Sequence, residues 1–307
     1  MGQTNPTCNI CGSPTRAVFP AIYGNQPMVA GVPINIDHQP WIRQCDTCGF
    51  RFTDQPADYD AILRCYEQAD TDVWLEDPHN DVRRGFAERV SLIEQHAKTK
   101  RVLDIGCYTG AFLNRFDQAW DRFGIELSEK AAEIATDRGI EILGDAFHST
   151  DFGDRKFGVI CFLNVIEHIT DPKDFMKQVA ERLEPGGLVF VETGDIDTWF
   201  SRILGRYWSY YYLPEHVAFF RLRTLKRLVT DAGLEVVAER TGFHHKRPFG
   251  LKPWIIHLLR IAKASTQSWT RHITRWFGME WRKDQPPFWL VHSDHMYVLA
   301  RKPDIAE

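Results

Sequence analysis

The chain has 307 residues, is 44% hydrophobic and 25% charged, and carries a formal net charge of −4. That length predicts about two domains with a core of useful size, and the charge balance argues against a nucleic-acid partner. No run reaches the ~18 uninterrupted apolar residues of a membrane span, and the polar N-terminus lacks a signal-peptide core. Seven cysteines, four of them in two Cys-x-x-Cys pairs, fit metal binding in a reducing cytoplasm better than a disulfide framework.

In chain order, the first feature is Cys8-Asn9-Ile10-Cys11, answered by Cys45-Asp46-Thr47-Cys48. Each pair can close a tight knuckle that points two thiolates at one ion, and Gly12 and Gly49 supply the loose turn behind each knuckle. Four soft ligands suit tetrahedral Zn²⁺, and a closed four-sulfur site serves folding rather than catalysis. The competing reading, a redox pair, lacks a thioredoxin-like βαβ unit around it. Residues 1–55 are therefore read as a zinc-ribbon module. Helical patterns follow at Ala57–Gln68 and Asn80–Lys98, with Val82, Phe86, Val90 and Ile93 at helical spacing. Tyr66 and Trp74 are candidate site-lining residues, with packing as the plainer role.

Next, Val102–Ile105 is a short apolar run that ends in a glycine-bounded turn, Gly106–Gly110, and Ala111–Trp120 continues at helical spacing. This strand, turn and helix make the first half of a nucleotide-binding βαβ unit. Phe123–Leu127 is a second strand ending in Glu126, some twenty residues after Gly106, where a ribose-binding carboxylate belongs in such a fold. Ile140–Phe147 with Asp145, Phe157–Val165 leading into Glu167-His168, and Leu188–Glu192 after Leu183-Glu184-Pro185-Gly186-Gly187 are three further strands. An aromatic-dense loop, Asp195–Phe220, contains Trp208, Tyr210, Tyr211 and Pro214-Glu215-His216 and reads as a pocket wall or lid. A helix at Thr224–Ala232, a strand at Leu234–Ala238 and a last strand at His295–Arg301 complete the pattern.

Between the last two strands, residues 241–283 hold nine Lys/Arg and one acid, Glu280. Two amphipathic stretches in it, Pro253–Lys263 and Gln267–Phe277, are rich in Trp and Ile. Such helices rest in a membrane interface, cover a core or pair subunits, so peripheral contact with the inner membrane face through 253–277 stands beside a lid or oligomer surface. The subunit count is not legible. No P-loop lysine sits in the Gly106–Gly110 turn.

The stretches Asp104-Ile105-Gly106-Cys107 with Gly110, Gly124-Ile125-Glu126-Leu127-Ser128, Gly144-Asp145-Ala146, Asn164-Val165-Ile166-Glu167-His168 and Leu183-Glu184-Pro185-Gly186-Gly187 occur in one order. Together they resemble the class I S-adenosylmethionine-dependent methyltransferases. The resemblance covers about residues 100–240 and implies a doubly wound, Rossmann-like α/β fold with a seven-stranded mixed sheet. The expected organisation is the zinc ribbon at 1–55, the methyltransferase domain at 56–240, a basic helical insertion at 241–284 and the final strand within 285–307.

The resemblance also implies roles. Gly106 and Gly110 would let the backbone approach the amino-acid tail of S-adenosylmethionine, Asp104 would orient the turn and the ammonium group, Glu126 would take the ribose and Asp145 with Ala146 the adenine; Cys107, Leu127 and Asn164 complete the cofactor-binding set. Tyr108 stands where the family usually has Gly, which puts the shape of the turn in question. The four-cysteine module and the Pro-Glu-His stretch look like a subgroup that includes sugar C-methyltransferases. Carried over, His216 is a general base that Glu215 polarises or orients; His168, from its place after the fourth strand, is a second candidate base, with packing as the plainer role. The expected activity is methyl transfer to a small hydroxylated acceptor, a sugar or glycan precursor. The alternatives are a membrane-associated lipid or quinone acceptor, and a zinc-ribbon interaction protein without catalysis.

Overall fold

The computed structural model describes residues 6–23, 26–68, 85–242 and 295–304. The N-terminal module contains β1 (Thr15–Pro20), a two-residue hairpin of β2 (Met28–Val29) and β3 (Val32–Pro33), then β4 (Trp41–Cys45) and β5 (Arg51–Asp54). Helices α1 (Tyr59–Gln68) and α2 (Phe86–His96) follow. The second half comprises β6 (Arg101–Ile105), β7 (Asp121–Ile125), α3 (Glu129–Asp137), β8 (Glu141–Gly144), β9 (Phe157–Leu163), α4 (Pro172–Arg182) and β10 (Leu183–Gly194). It ends with α5 (Trp199–Leu204), β11 (Ala218–Phe219), α6 (Leu222–Asp231), β12 (Glu235–Gly242) and β13 (His295–Arg301).

The large sheet has seven strands in the order β12-β13-β10-β9-β6-β7-β8. β10, β9, β6, β7 and β8 run parallel, while β13 is antiparallel to both β10 and β12. This is the mixed seven-stranded α/β architecture expected from the sequence. Its central strands read as apolar runs because both faces are covered: Val102, Leu103 and Ile105 on β6, and Val159, Ile160, Cys161 and Phe162 on β9, are buried. Asp104, a buried carboxylate inside the β6 run, breaks that pattern near the strand's carboxyl end.

Local chemistry explains the helix starts. Ser128 caps α3 by accepting the Ala131 N–H, and Asp171 caps α4 by accepting the Asp174 N–H, with Pro172 in the first helical turn. One predicted element is different. Ala111–Trp120 forms only a short 3₁₀ turn at Leu113–Arg115. Phe112, Phe116 and Trp120 stack on one another and on Phe86 instead, and the Asp117 carboxylate takes the Ala119 N–H. Side-chain capture of this kind competes with helix continuation. The spacing that suggested a helix is the spacing of an aromatic cluster.

The small sheet has the order β1-β4-β5-β11. Its fourth strand comes from the far end of the aromatic loop, with Ala218 opposite Phe52 and Phe219 opposite Arg51. One apolar core accordingly runs from Ile10, Phe50 and Phe52 through Ala218, Phe220 and Leu225 to Leu103, Ile160 and Met296. The residues predicted as basic helices at 253–263 and 267–277, with Trp74 and Val82, lie outside the described residues. Among the described residues, no helix is long and apolar enough to cross a membrane.

Candidate active site

The carboxyl ends of β6, β7, β8 and β9 meet at one edge of the large sheet. The turn after β6 is held by Gly106 and Cys107 N–H donating to the Ile125 carbonyl at 2.8 and 3.1 Å. Gly106 has φ 71°, and a Cβ there would lie 2.8 Å from Val165 Cγ2, so only glycine fits. Gly110, also left-handed at φ 72°, packs against Ile140, where a Cβ would lie 2.0 Å from Cδ1. Tyr108 adopts φ 51°, the backbone conformation glycine would supply. It does so while its N–H donates to Glu126 Oε2 at 2.8 Å. The turn therefore keeps its path, at a backbone cost of roughly 1 kcal/mol.

Glu126 binds the turn from the β7 side: Oε2 holds Tyr108 and Oε1 accepts the Ser128 N–H at 2.9 Å. Burial raises its pKa against these hydrogen bonds. Asp104 is fully enclosed beneath the turn, and its Oδ1 has no hydrogen-bond partner. Burial, then the Glu126 carboxyl, pushes its pKa well above the ordinary range. Two buried acids and an orphaned oxygen form a setting that a cation would relieve. The donor set and the glycine cradle fit S-adenosylmethionine, whose tail carries an ammonium group and whose ribose offers two hydroxyls. Cys107 is buried, and Leu127 and Ala146 are half-buried along the same edge. Asp145 is exposed at the tip of β8, its Oδ1 holding the Ala146 N–H and the Ser149 hydroxyl. Asn164, left-handed at φ 57°, donates its N–H to the Glu192 carbonyl and pairs its Oδ1 with His295 Nε2 at 3.0 Å.

Beyond the turn lies a network the sequence only partly disclosed. Glu167 is buried; its Oε1 accepts the Tyr210 hydroxyl at 2.7 Å and its Oε2 the Thr193 hydroxyl at 2.8 Å. The Tyr210 hydroxyl in turn accepts the Gly194 N–H at 3.1 Å. Tyr210 stacks on Trp208 with centroids 4.8 Å apart and meets the His216 ring at 4.1 Å. His216 Nδ1 lies 3.1 Å from the Tyr210 carbonyl. A carbonyl only accepts, so Nδ1 carries the proton and Nε2 keeps its lone pair. His168 repeats the device: its Nδ1 lies 3.1 Å from the Glu215 carbonyl, and the two imidazoles meet edge-on at 5.0 Å. Burial holds both histidines below the usual range, His216 well below it, with His168 adding to the depression of His216.

The hydrogen bond on His216 Nδ1 runs to the Tyr210 backbone carbonyl, and among the described residues the Glu215 carboxyl makes none to the ring. Glu215 Oε2 is buried with no hydrogen-bond partner, and burial pushes the carboxyl up to about 7. Helix α1 covers this space. The Tyr66 ring lies 6.3 Å from His168, and burial followed by Glu215, Glu167 and Glu126 raises its phenol. Tyr66 is thus among the three acids, while Trp208, Tyr210 and Tyr211 are core residues rather than a loose lid. The Glu167–Tyr210–His216 connection had no sequence signal beyond aromatic density.

In the N-terminal module, Cys8, Cys11, Cys45 and Cys48 bring their sulfurs within 4.8 Å of one another. The closest pairs, Cys8–Cys48 at 3.6 Å and Cys11–Cys45 at 3.4 Å, are near the ~3.8 Å edge of a tetrahedron with 2.3 Å metal–sulfur bonds. The Cys48 N–H donates to Cys45 Sγ, and Gly12 and Gly49 close the knuckles at φ 71° and 76°. The donor set fits Zn²⁺.

A family profile described as "Methyltransferase domain" matches residues 79–239. The ubiquinone biosynthesis O-methyltransferase of Idiomarina loihiensis is 28% identical over 176 residues, 52% of this chain and 70% of that protein. The protein of the same name from Aromatoleum aromaticum is 31% identical over 162 residues, 48% of this chain and 68% of its own. Among solved structures, the N-methyltransferase NodS of Bradyrhizobium japonicum is 13% identical, with a TM-score of 0.46, over 74% of this chain and 99% of that one.

Proposed function

The chain belongs to the methyltransferase-domain family and is a class I S-adenosylmethionine-dependent methyltransferase; from this we propose that it methylates a hydroxyl of a small acceptor, with His216 as the base. The observation that carries the proposal is the His216 imidazole. It is buried, neutral at physiological pH, and tautomerically fixed so that Nε2 is the basic atom.

Asp104, Gly106, Cys107, Gly110, Glu126, Leu127, Asp145, Ala146 and Asn164 would hold S-adenosylmethionine, which supplies an electrophilic methyl group. Asp104 and Glu126 balance its positive charge, and Glu126 retains lone pairs for the ribose hydroxyls. His216 Nε2 takes the acceptor's proton. Glu167, through Tyr210, fixes the ring that does so, and His168 fills the wall beside it. Tyr66 and the aromatic loop exclude water from the space between them. Zn²⁺ on the four cysteines is structural and sets β5, to which β11 is paired.

A sugar-related acceptor follows from the likeness of the four-cysteine module and the Pro-Glu-His stretch to sugar C-methyltransferases. A second reading, a hydroxylated quinone precursor, is favoured by the names of the relatives. The family match weighs against the non-catalytic reading. A radiolabelled-methyl assay over hydroxylated sugars and phenols separates the two acceptor classes. His216→Ala is expected to lower turnover at least a hundredfold with cofactor affinity retained. Unchanged turnover removes His216 from the mechanism.

A further inference from the structure

Where the small sheet meets α6, arginines gather without matching acids. A Cβ placed on Gly49 would lie 2.5 Å from Arg223 Nη2 and 3.3 Å from Arg221 Nε, so both guanidinium groups crowd one glycine. Arg221 Nε is buried with no hydrogen-bond partner. Its Nη1 lies 3.2 Å from Asp197, and that same carboxylate oxygen is 3.0 Å from Arg202. Among the described residues Arg51, on β5 beside Gly49, bonds neutral groups, Gln44 Oε1 at 2.8 Å and the Tyr211 hydroxyl at 2.9 Å. Arg223 is exposed, and among the described residues no acid pairs with it.

The charge is also placed against the helix. Arg221 is the N-cap of α6 and Arg223 lies in its first turn, which has no acid. The macrodipole makes that end partially positive, so cations there are unfavourable and an anion is favoured. Planar guanidinium forks around a helix start match a tetrahedral oxyanion.

We infer that Arg51, Arg221 and Arg223 at the N-terminus of α6 form a binding site for the phosphate or diphosphate group of a soluble ligand. This assignment does not depend on the identity of the methyl acceptor.

The test is calorimetric titration of the full zinc-loaded chain with inorganic diphosphate at constant ionic strength. Saturable one-to-one binding is expected, weakened about tenfold or more in Arg223→Gln and in Arg221→Gln, and unchanged in Arg227→Gln. Zinc content and circular dichroism of Arg223→Gln, an exposed substitution, should match wild type. Absence of diphosphate binding overturns the assignment. So does an equal loss in Arg227→Gln, which would reveal diffuse charge attraction. Sedimentation with phosphatidic acid vesicles in the absence of diphosphate binding would assign the arginines to a lipid surface and overturn the soluble-ligand claim.

Discussion

Replacing Glu215 by Gln should make the protein more stable in base and leave it little changed in acid. Glu215 is buried with an unpartnered Oε2, and its carboxyl is pushed from 4.5 to about 7 by desolvation. Between those values the folded state binds a proton that the unfolded state has lost. Stability therefore falls as pH rises through this window, and the penalty is complete above pH 7. Proton linkage over that interval corresponds to about 3 kcal/mol. Gln copies the neutral acid and has no proton to lose.

The assay is guanidinium denaturation of both zinc-loaded proteins at pH 5 and pH 8. Linkage predicts that the carboxyl costs wild type about 1 kcal/mol at pH 5 and about 3 kcal/mol at pH 8. Any constant cost of the amide cancels when the two pH values are compared, as does titration of the thiolates, common to both proteins. Glu215→Gln should thus gain about 2 kcal/mol on wild type between pH 5 and pH 8. A difference that does not change with pH, or one that favours wild type in base, would refute the burial argument.

Other consequences are as direct. His216 is depressed well below 6.5 by burial and His168, so it stays in its base form at that pH; the acid limb of kcat/KM should fall below 6.5, and a midpoint at or above 7 would contradict this. Arg89 and Glu192 form a largely buried ion pair, with side chains 11% and 1% exposed; Arg89→Met should cost about 3–5 kcal/mol of stability by leaving a buried charge, measured by denaturation. Gly106→Ala combines a left-handed backbone with a 2.8 Å approach to Val165 and should cost about 1–2 kcal/mol, with weaker cofactor binding seen by calorimetry. Cys45→Ser should release one zinc per chain in metal analysis and lower kcat more than cofactor affinity.

What could be read in advance was what periodicity and glycine placement record. The strands β6, β9 and β13 were legible because parallel or central strands bury both faces, and Gly106 because its turn demands φ 71°. The 110–120 region misled because Phe112, Phe116 and Trp120 satisfy helical spacing while stacking as a cluster. His216 was legible as a candidate base, but the group that meets its ring was not. Glu215 adjoins His216 in sequence, yet a peptide's neighbours do not share a side-chain direction. The group that meets His216 Nδ1 is a backbone carbonyl six residues back, and a carbonyl has no sequence signature. The arginines likewise come from positions 51, 221 and 223, which only the β5–β11 pairing brings together.

That pairing also links the four-cysteine module to the loop that carries His216. Cys45 ends β4, and β4 pairs along β5 from Trp41–Asp54 to Gln44–Arg51. Thr53 on β5 donates its N–H to the Val217 carbonyl at 2.9 Å and its hydroxyl to the His216 carbonyl at 3.3 Å. From the other side the Val217 N–H donates to the Glu167 carbonyl at 2.8 Å. The His216 segment is thus clamped between the small sheet, which carries the four-cysteine cluster, and the carboxyl edge of the large sheet. Backbone hydrogen bonds buried this way are costly to leave unpaired. Loosening the knuckles therefore frees β5 and the His216 loop, while the Gly106 turn, held by Ile125 and Glu126, keeps its own bonds. A metal on the four cysteines would act on the His216 loop through two strands and one threonine.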